Sequence, residues 1–183
     1  MPEVTDLRPG DPESIGGYRV VSRLGSGGQG VVFLAAASSG ALVTIKRLLP
    51  GPEDTLARVQ FAKEVAVAQL VAPFCTAQVI DAQLDGDSPY VVSEFISGPS
   101  LEQEIQHSGP MEGTALQRTA IGTVTALAAM HQANVVHRDF TPANVMISPG
   151  GPRVIDFGIA RNQSVETTAT GGVPGTPPRF ALR

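Results

Sequence analysis

An acid, an amide and a second acid punctuate the second half of this chain. Asp139 follows His137 and Arg138, Asn144 stands five positions after Asp139, and Asp156 leads into Phe157 and Gly158. The intervening residues include two short strand-like runs, Val145 to Ile147 and Arg153 to Ile155, so the polar groups fall on tight turns between short strands. Few folds can present these groups together on neighbouring turns. Their chemistry suits phosphoryl transfer: one carboxylate faces a hydroxyl, while the other joins the amide in holding a metal on a triphosphate.

The rest of the composition permits a folded enzyme and narrows its ligands. A chain of 183 residues with 42% hydrophobic content can bury a sizeable core, which argues against disorder throughout. The formal net charge is −4 and no dense Lys/Arg cluster occurs, so no nucleic acid partner is expected and a phosphorylated ligand needs a local site. Cys75 is the single cysteine, which excludes an intrachain disulfide and a cysteine-based zinc site; between Phe74 and Thr76 it reads as a buried structural thiol. Residues 1–17 are acidic and rich in Pro and Gly, with no apolar centre, so they read as a flexible leader rather than a signal peptide. No run approaches eighteen apolar residues, and the expectation is a soluble, cytoplasmic chain without a membrane segment.

Periodicity supplies the elements. Strands are predicted from Tyr18 to Leu24, Val31 to Ala35 and Leu42 to Leu48, followed by a helix from Thr55 to Val71 with Ala57, Phe61, Val65 and Ala68 on one stripe. Val79 to Leu84 and Tyr90 to Phe95 form a hairpin around Asp85, Gly86 and Asp87. Ser100 and Gln103 have capping-box spacing for a short helix, and a longer helix runs from Gly113 to Gln132. Beyond Arg161 the sequence is rich in Thr, Gly and Pro.

Two further features gain meaning from what surrounds them. Gly25, Gly27 and Gly30 have a spacing shared with dinucleotide-binding folds, but Val31, Val32 and Phe33 continue as a strand instead of opening a helix. The cluster therefore reads either as a plain hairpin turn or as a lid whose backbone N–H groups approach phosphates. Lys46 lies in the apolar strand Val43, Thr44, Ile45, where an unpaired ammonium is costly to bury. Either Glu64 on the following helix pairs with it, or Lys46 is an edge-strand lysine that snorkels to water.

Taken in order, these motifs resemble the protein-kinase family of the eukaryotic type, and most closely its bacterial serine/threonine branch. GSGGQGVV from Gly25 resembles the glycine-rich loop, VTIK from Val43 the strand with the ATP lysine, and FAKEVAVAQLV the helix that carries Glu64. HRDFTPAN from His137 resembles the catalytic loop, IDFG from Ile155 the metal-binding turn, and GTPPRFALR from Gly175 the close of the activation segment.

The resemblance implies an α+β, two-lobed fold over residues 18–183. It comprises a complete small lobe of antiparallel sheet plus one helix (18–95), then a hinge and a partial helical large lobe (96–183). It implies ATP and Mg²⁺ as cofactors and a protein hydroxyl as substrate. Asp139 would accept the hydroxyl proton, Lys46 and Glu64 would position ATP, and Asn144 and Asp156 would hold the metal. Leu24, Gly25, Ser26, Gly27, Gly28, Gln29 and Gly30 would cover the nucleotide, with Val32 and Thr44 over the adenine. Glu94 and Ile96 would meet the adenine through their backbones. Ser93 would close the back of that pocket. Arg138 would face a phosphorylated activation segment, where Thr168 and Thr170 read equally as acceptors or as ordinary loop residues. His137 and His131 read as structural, and His107 as a surface residue.

Three departures temper the resemblance. Thr141 stands where the serine/threonine branch usually has a Lys that contacts the transferred phosphoryl group. Ala181, Leu182 and Arg183 replace the usual Ala, Pro, Glu, and Arg183 comes only twenty-five residues after Gly158. The expectation is a domain truncated after its activation segment. Leu116, Ala120, Val124, Leu127 and Ala128 form one apolar stripe of the long helix, while Ile121, Ala126, Ala129 and Met130 populate its other faces. A helix apolar nearly all round expects cover on every side, so an exposed apolar patch, self-association or a partner is expected. Alternative readings are a catalytically weak ATP-binding or regulatory fragment and, from another class, a small-molecule phosphotransferase.

Overall fold

The computed structural model describes residues 5–27, 30–48, 55–71 and 76–156. Cys75, Phe157, Gly158 and the segment carrying Thr168 and Thr170 lie outside them. The chain opens with β1 (Ser14–Ile15), β2 (Tyr18–Gly27), β3 (Gly30–Ala36) and β4 (Leu42–Arg47). After α1 (Thr55–Ala68) come β5 (Val79–Gln83) and β6 (Tyr90–Glu94), which complete a six-stranded antiparallel sheet in the order β1-β2-β3-β4-β6-β5.

Strand alternation divides this sheet into two unlike faces. On one, Phe33, Ala35, Val43, Ile45 and Val92 pack with Ile15 and Tyr90 into a buried core. The other takes the intervening residues, including Val32, Thr44, Lys46, Val91 and Ser93, which line a cleft. Because β4 lies between β3 and β6, Lys46 is not on an edge strand, and the snorkelling alternative falls. Helix α1 packs Phe61 and Val65 against Val79 and Val91, as its stripe predicts. It stops at Ala68 rather than Val71 because the last turn tightens, with the Leu70 N–H donating to Val67 O at 3.0 Å.

The expected flexible leader is instead partly fastened structure. Ile15 and Ser14 pair with β2, and Thr5 exchanges two 3.0 Å backbone hydrogen bonds with Arg23. Asp11 keeps its side chain largely covered and takes the Arg23 guanidinium on both carboxylate oxygens, one at 2.6 Å from Nε. At Gly16 the chain turns with φ 59°, and a Cβ there would lie 2.1 Å from the Tyr90 hydroxyl. This approach fixes a glycine at the turn.

The remaining described residues form a helical layer with one small hairpin. Helix α2 (Leu101–Ser108) begins at Ser100, whose hydroxyl accepts the Gln103 N–H at 3.1 Å while the Gln103 side chain accepts the Ser100 N–H at 3.0 Å. That is the predicted capping box. Helix α3 (Gly113–Gln132) packs across the hairpin of β7 (Val145–Ser148) and β8 (Gly151–Val154). A Cβ at Gly122 would lie 2.4 Å from Pro152 Cγ, so the closeness of this packing depends on glycine.

The buried face of α3 differs from the stripe that the spacing favours. Ala126 and Met130 are fully buried and pack with Val135, Val154 and Val71; of the predicted stripe Leu116 and Val124 are exposed while Leu127 is partly buried against this cluster, and Ile121, off that stripe, is exposed as well. Small residues at Gly122 and Ala126 let the helix approach the hairpin, which the larger side chains of the other stripe would prevent. No described helix is long and apolar enough to cross a membrane.

Candidate active site

A cleft of about 140 Å³ lies between the second face of the sheet and the β7–β8 hairpin. From the sheet come Val32, Thr44, Lys46 and Val91, with Ser93 and Glu94 at the end of β6 and Ile96 just after it. From the other side come Met146, Val154, Ile155 and Asp156. The walls are thus mainly apolar, with charge concentrated at Lys46, Asp156 and Glu94.

Lys46 shows only 15% of its side chain to solvent, and its Nζ lies 3.5 Å from Asp156 Oδ1. An ammonium in an apolar strand needs such a counter-charge. The carboxylate is half exposed, so one member of the pair faces the open side of the cleft. Asp156 adopts φ 52°, a left-handed conformation that Asp tolerates better than most residues. Glu64 lies on α1, but its side chain is outside the described set, so its approach to Lys46 is not placed.

The other predicted residues are joined through backbone groups. The Asp139 N–H donates to His137 O at 2.8 Å, closing a three-residue turn around Arg138, whose φ of 60° is strained for a bulky side chain. Two contacts hold that turn. Buried His137 donates from Nε2 to Ile155 O at 3.0 Å, and Asn144 Nδ2 donates to Asp139 O at 2.9 Å. A carbonyl only accepts, so Nε2 carries the proton. The Ile155 N–H in turn donates to Asn144 O at 2.9 Å. Asp139, Asn144 and the residue preceding Asp156 therefore belong to one hydrogen-bonded unit, with the 3₁₀ turn Pro142–Asn144 at its centre.

This wiring also tests the fit of a hard cation. Asn144 spends its NH₂ on Asp139 O, so its Oδ1 is the end left for a metal, and Asp156 adds a carboxylate. Among the described residues no group of three or more His, Cys, Asp or Glu could cage a metal. The donor set suits Mg²⁺, which is usually held by one or two protein oxygens together with phosphates and water.

The glycine run and hinge divide similarly into placed and unplaced parts. Leu24, Gly25, Ser26 and Gly27 end β2, and Gly30 opens β3 opposite Gly27, while Gly28 and Gln29 lie outside the described residues. The Glu94 N–H donates to Gln78 O at 2.9 Å, so its carbonyl is the backbone group that could serve a ligand. His137 has the structural role expected of it and His107 is a surface residue as expected, whereas His131, expected to be structural, is exposed on α3.

Arg153, which the sequence did not single out, lies beside the cleft lining rather than in it. Its Nη1 donates to Thr76 O at 2.9 Å and lies 3.5 Å from Glu94 Oε2. The signal was available, since Arg153 sits between Pro152 and Val154 on an inward-facing strand, just as Lys46 sits in its own.

The family model described as "Protein kinase domain" matches residues 18–178. The chain is 47% identical over 175 residues to the probable serine/threonine-protein kinase PkwA of Thermomonospora curvata, covering 94% of this chain and 24% of that protein. It is 43% identical over 176 residues to the serine/threonine-protein kinase AfsK of Streptomyces coelicolor, covering 95% and 22%. A probable serine/threonine-protein kinase PknB of Corynebacterium glutamicum is 35% identical over 172 residues, covering 87% and 26%. The chain thus spans about a quarter of the length of these relatives.

Proposed function

This chain belongs to the protein kinase domain family, and from that premise we propose that it binds Mg·ATP and transfers the γ-phosphoryl group to a serine or threonine hydroxyl of a protein. The observation that carries the proposal is the Lys46–Asp156 pair at 3.5 Å across the cleft, beside the hydrogen-bonded unit that holds Asp139 and Asn144. A cytoplasmic location, where ATP is supplied, goes with this reading.

Each residue then has a physical task. Val32 and Thr44 cover the adenine, the Glu94 carbonyl and the Ile96 backbone bond its edge, and the glycine run of β2 and β3 approaches the phosphates. Lys46 neutralises phosphate charge, with Glu64 assigned to steady its ammonium. Asn144 Oδ1 and Asp156 would hold Mg²⁺, which when bound screens the triphosphate and favours departure of ADP. Asp139 orients the substrate hydroxyl and takes its proton while the oxygen–phosphorus bond forms and the bond to the ADP oxygen breaks. The strained turn at Arg138 and the His137 bond to Ile155 O keep Asp139 and Asp156 in fixed relation, so little reorganisation accompanies transfer.

The test separates binding from chemistry. Lys46→Met is expected to abolish or strongly weaken Mg·ATP-dependent thermal stabilisation while leaving the melting temperature of the nucleotide-free protein nearly unchanged. Asp139→Asn is expected to retain that stabilisation but to lose radiolabelled phosphate transfer to itself or to a generic protein substrate. Unchanged stabilisation in Lys46→Met would remove Lys46 from the site, and transfer surviving in Asp139→Asn would remove the base.

A further inference from the structure

We propose that Arg153 is a positioning residue of the cleft, and that Arg153 and Asp156 form a two-point electrostatic latch between β8 and the sheet. The inference rests on the reading of the cleft as a nucleotide site. Two charges of the sheet line this cleft: Lys46 on β4 and Glu94, the last residue of β6, which stands opposite Val43. Along β4 they are therefore three residues apart. Arg153 and Asp156 are also three residues apart, on β8 and just beyond it. Each meets a charge of opposite sign, Asp156 with Lys46 at 3.5 Å and Arg153 with Glu94 at 3.5 Å.

The charge order gives the latch a direction. Reversing it would set Arg153 against Lys46 and Asp156 against Glu94, two like-charge contacts at once. Arg153 is also anchored independently of Glu94, because it donates to Thr76 O at 2.9 Å beside the bridge that pairs Thr76 with Val154. Its guanidinium is therefore already oriented when it reaches the hinge. That removes part of the side-chain entropy that usually makes a half-exposed ion pair weak.

The two points respond differently to nucleotide. Lys46 and Asp156 are the groups that a metal-bound triphosphate engages, so loading redistributes that contact. Glu94 meets adenine through its backbone, leaving its carboxylate on Arg153. The Arg153–Glu94 point thus keeps the hinge wall at its spacing from β8 while the other point is remade. Losing it lets the cleft walls separate and weakens nucleotide binding, although Arg153 never touches the nucleotide.

The experiment is calorimetric titration of the full 183-residue chain with Mg·ATP, for the wild type, Arg153→Met, Glu94→Gln, the double variant and Arg153→Lys. Expected are a loss of affinity of about fivefold in Arg153→Met and about threefold in Glu94→Gln, the double variant no weaker than Arg153→Met, and partial recovery in Arg153→Lys. Raising salt from about 0.05 to about 0.5 M should narrow the gap between wild type and Glu94→Gln, because screening removes the same contact. Glu94→Gln carries the test if Arg153→Met fails to fold. Losses that multiply in the double variant, or an unchanged affinity in Glu94→Gln, overturn the latch and leave the nucleotide reading standing. A wild-type chain that binds no Mg·ATP overturns that reading, and the latch with it.

Discussion

Ser93 and Thr141 are two positions at which this chain departs from the pattern that its kinase motifs imply. Ser93 is partly buried on β6, paired with Thr44 and Val79, and contributes only a hydroxymethyl group to the cleft. The chain should therefore accept adenine analogues with bulky substituents that reach past this position, and Ser93→Met should exclude them while retaining ATP. Competition binding with both forms checks this, and equal binding of the bulky compound would mean that the adenine lies elsewhere. Thr141 is exposed and opens the 3₁₀ turn without a side-chain capping bond, so no contact among the described residues requires a hydroxyl there. Removing one electrostatic donor to a transition state costs about 3–4 kcal/mol. Slow turnover is the expected outcome in this chain, with Thr141→Lys neutral or faster and any activity still abolished by Asp139→Asn.

At the scale of elements, the fastening of residues 5–15 along β2 has a pH signature. The Arg23 guanidinium, hydrogen-bonded to both oxygens of Asp11, lowers that carboxyl from 3.8 to about 2. A depressed carboxyl stabilises the fold fully above its unfolded value and loses that contribution as pH falls through its folded value. Asp11→Asn should thus be less stable than wild type at pH 7, with a gap that holds to about pH 5 and closes between about pH 4 and pH 2. Urea unfolding across this range measures it, and a gap independent of pH would show that the ion pair is not its source. The same element marks the limit of what sequence could reveal. Alternation and capping place β3 to β7 and α3 to within about a residue and mark the start of α2, because each is written in local spacing, whereas β2 runs on from Leu24 to Gly27 and β8 begins at Gly151 rather than Arg153. The Asp11–Arg23 pair joins residues twelve apart across a turn, and a Pro/Gly-rich segment has no periodicity that announces it. Asp139, Asn144 and Asp156 were legible from their spacing on turns between short strands, and Lys46 because it is charged in an apolar strand. Arg153 was equally so, but it belongs to no motif that names it.

For the whole molecule, α3 decides which surface is core and which is presented outward. Its spacing permits two apolar faces, and length of side chain chooses between them. The face bearing Gly122 and Ala126 lies close on Pro152 and Val154, whereas Leu116, Ile121 and Val124 keep 50%, 68% and 64% of their surface exposed. Substitutions on the two faces should therefore part sharply. Met130→Ala removes a fully buried side chain and is expected to cost about 2–5 kcal/mol, while Ile121→Gln should stay within about 0.5 kcal/mol. The exposed face has a second consequence, since three large apolar side chains on one helix favour association. The wild type is expected to associate with rising concentration in sedimentation, and Ile121→Gln combined with Val124→Gln to reduce that association while leaving both the melting temperature and Mg·ATP stabilisation intact. A double variant that unfolds instead would place this face in the core and reverse the assignment of α3. One that folds but associates as before would move the sticky surface elsewhere on the molecule.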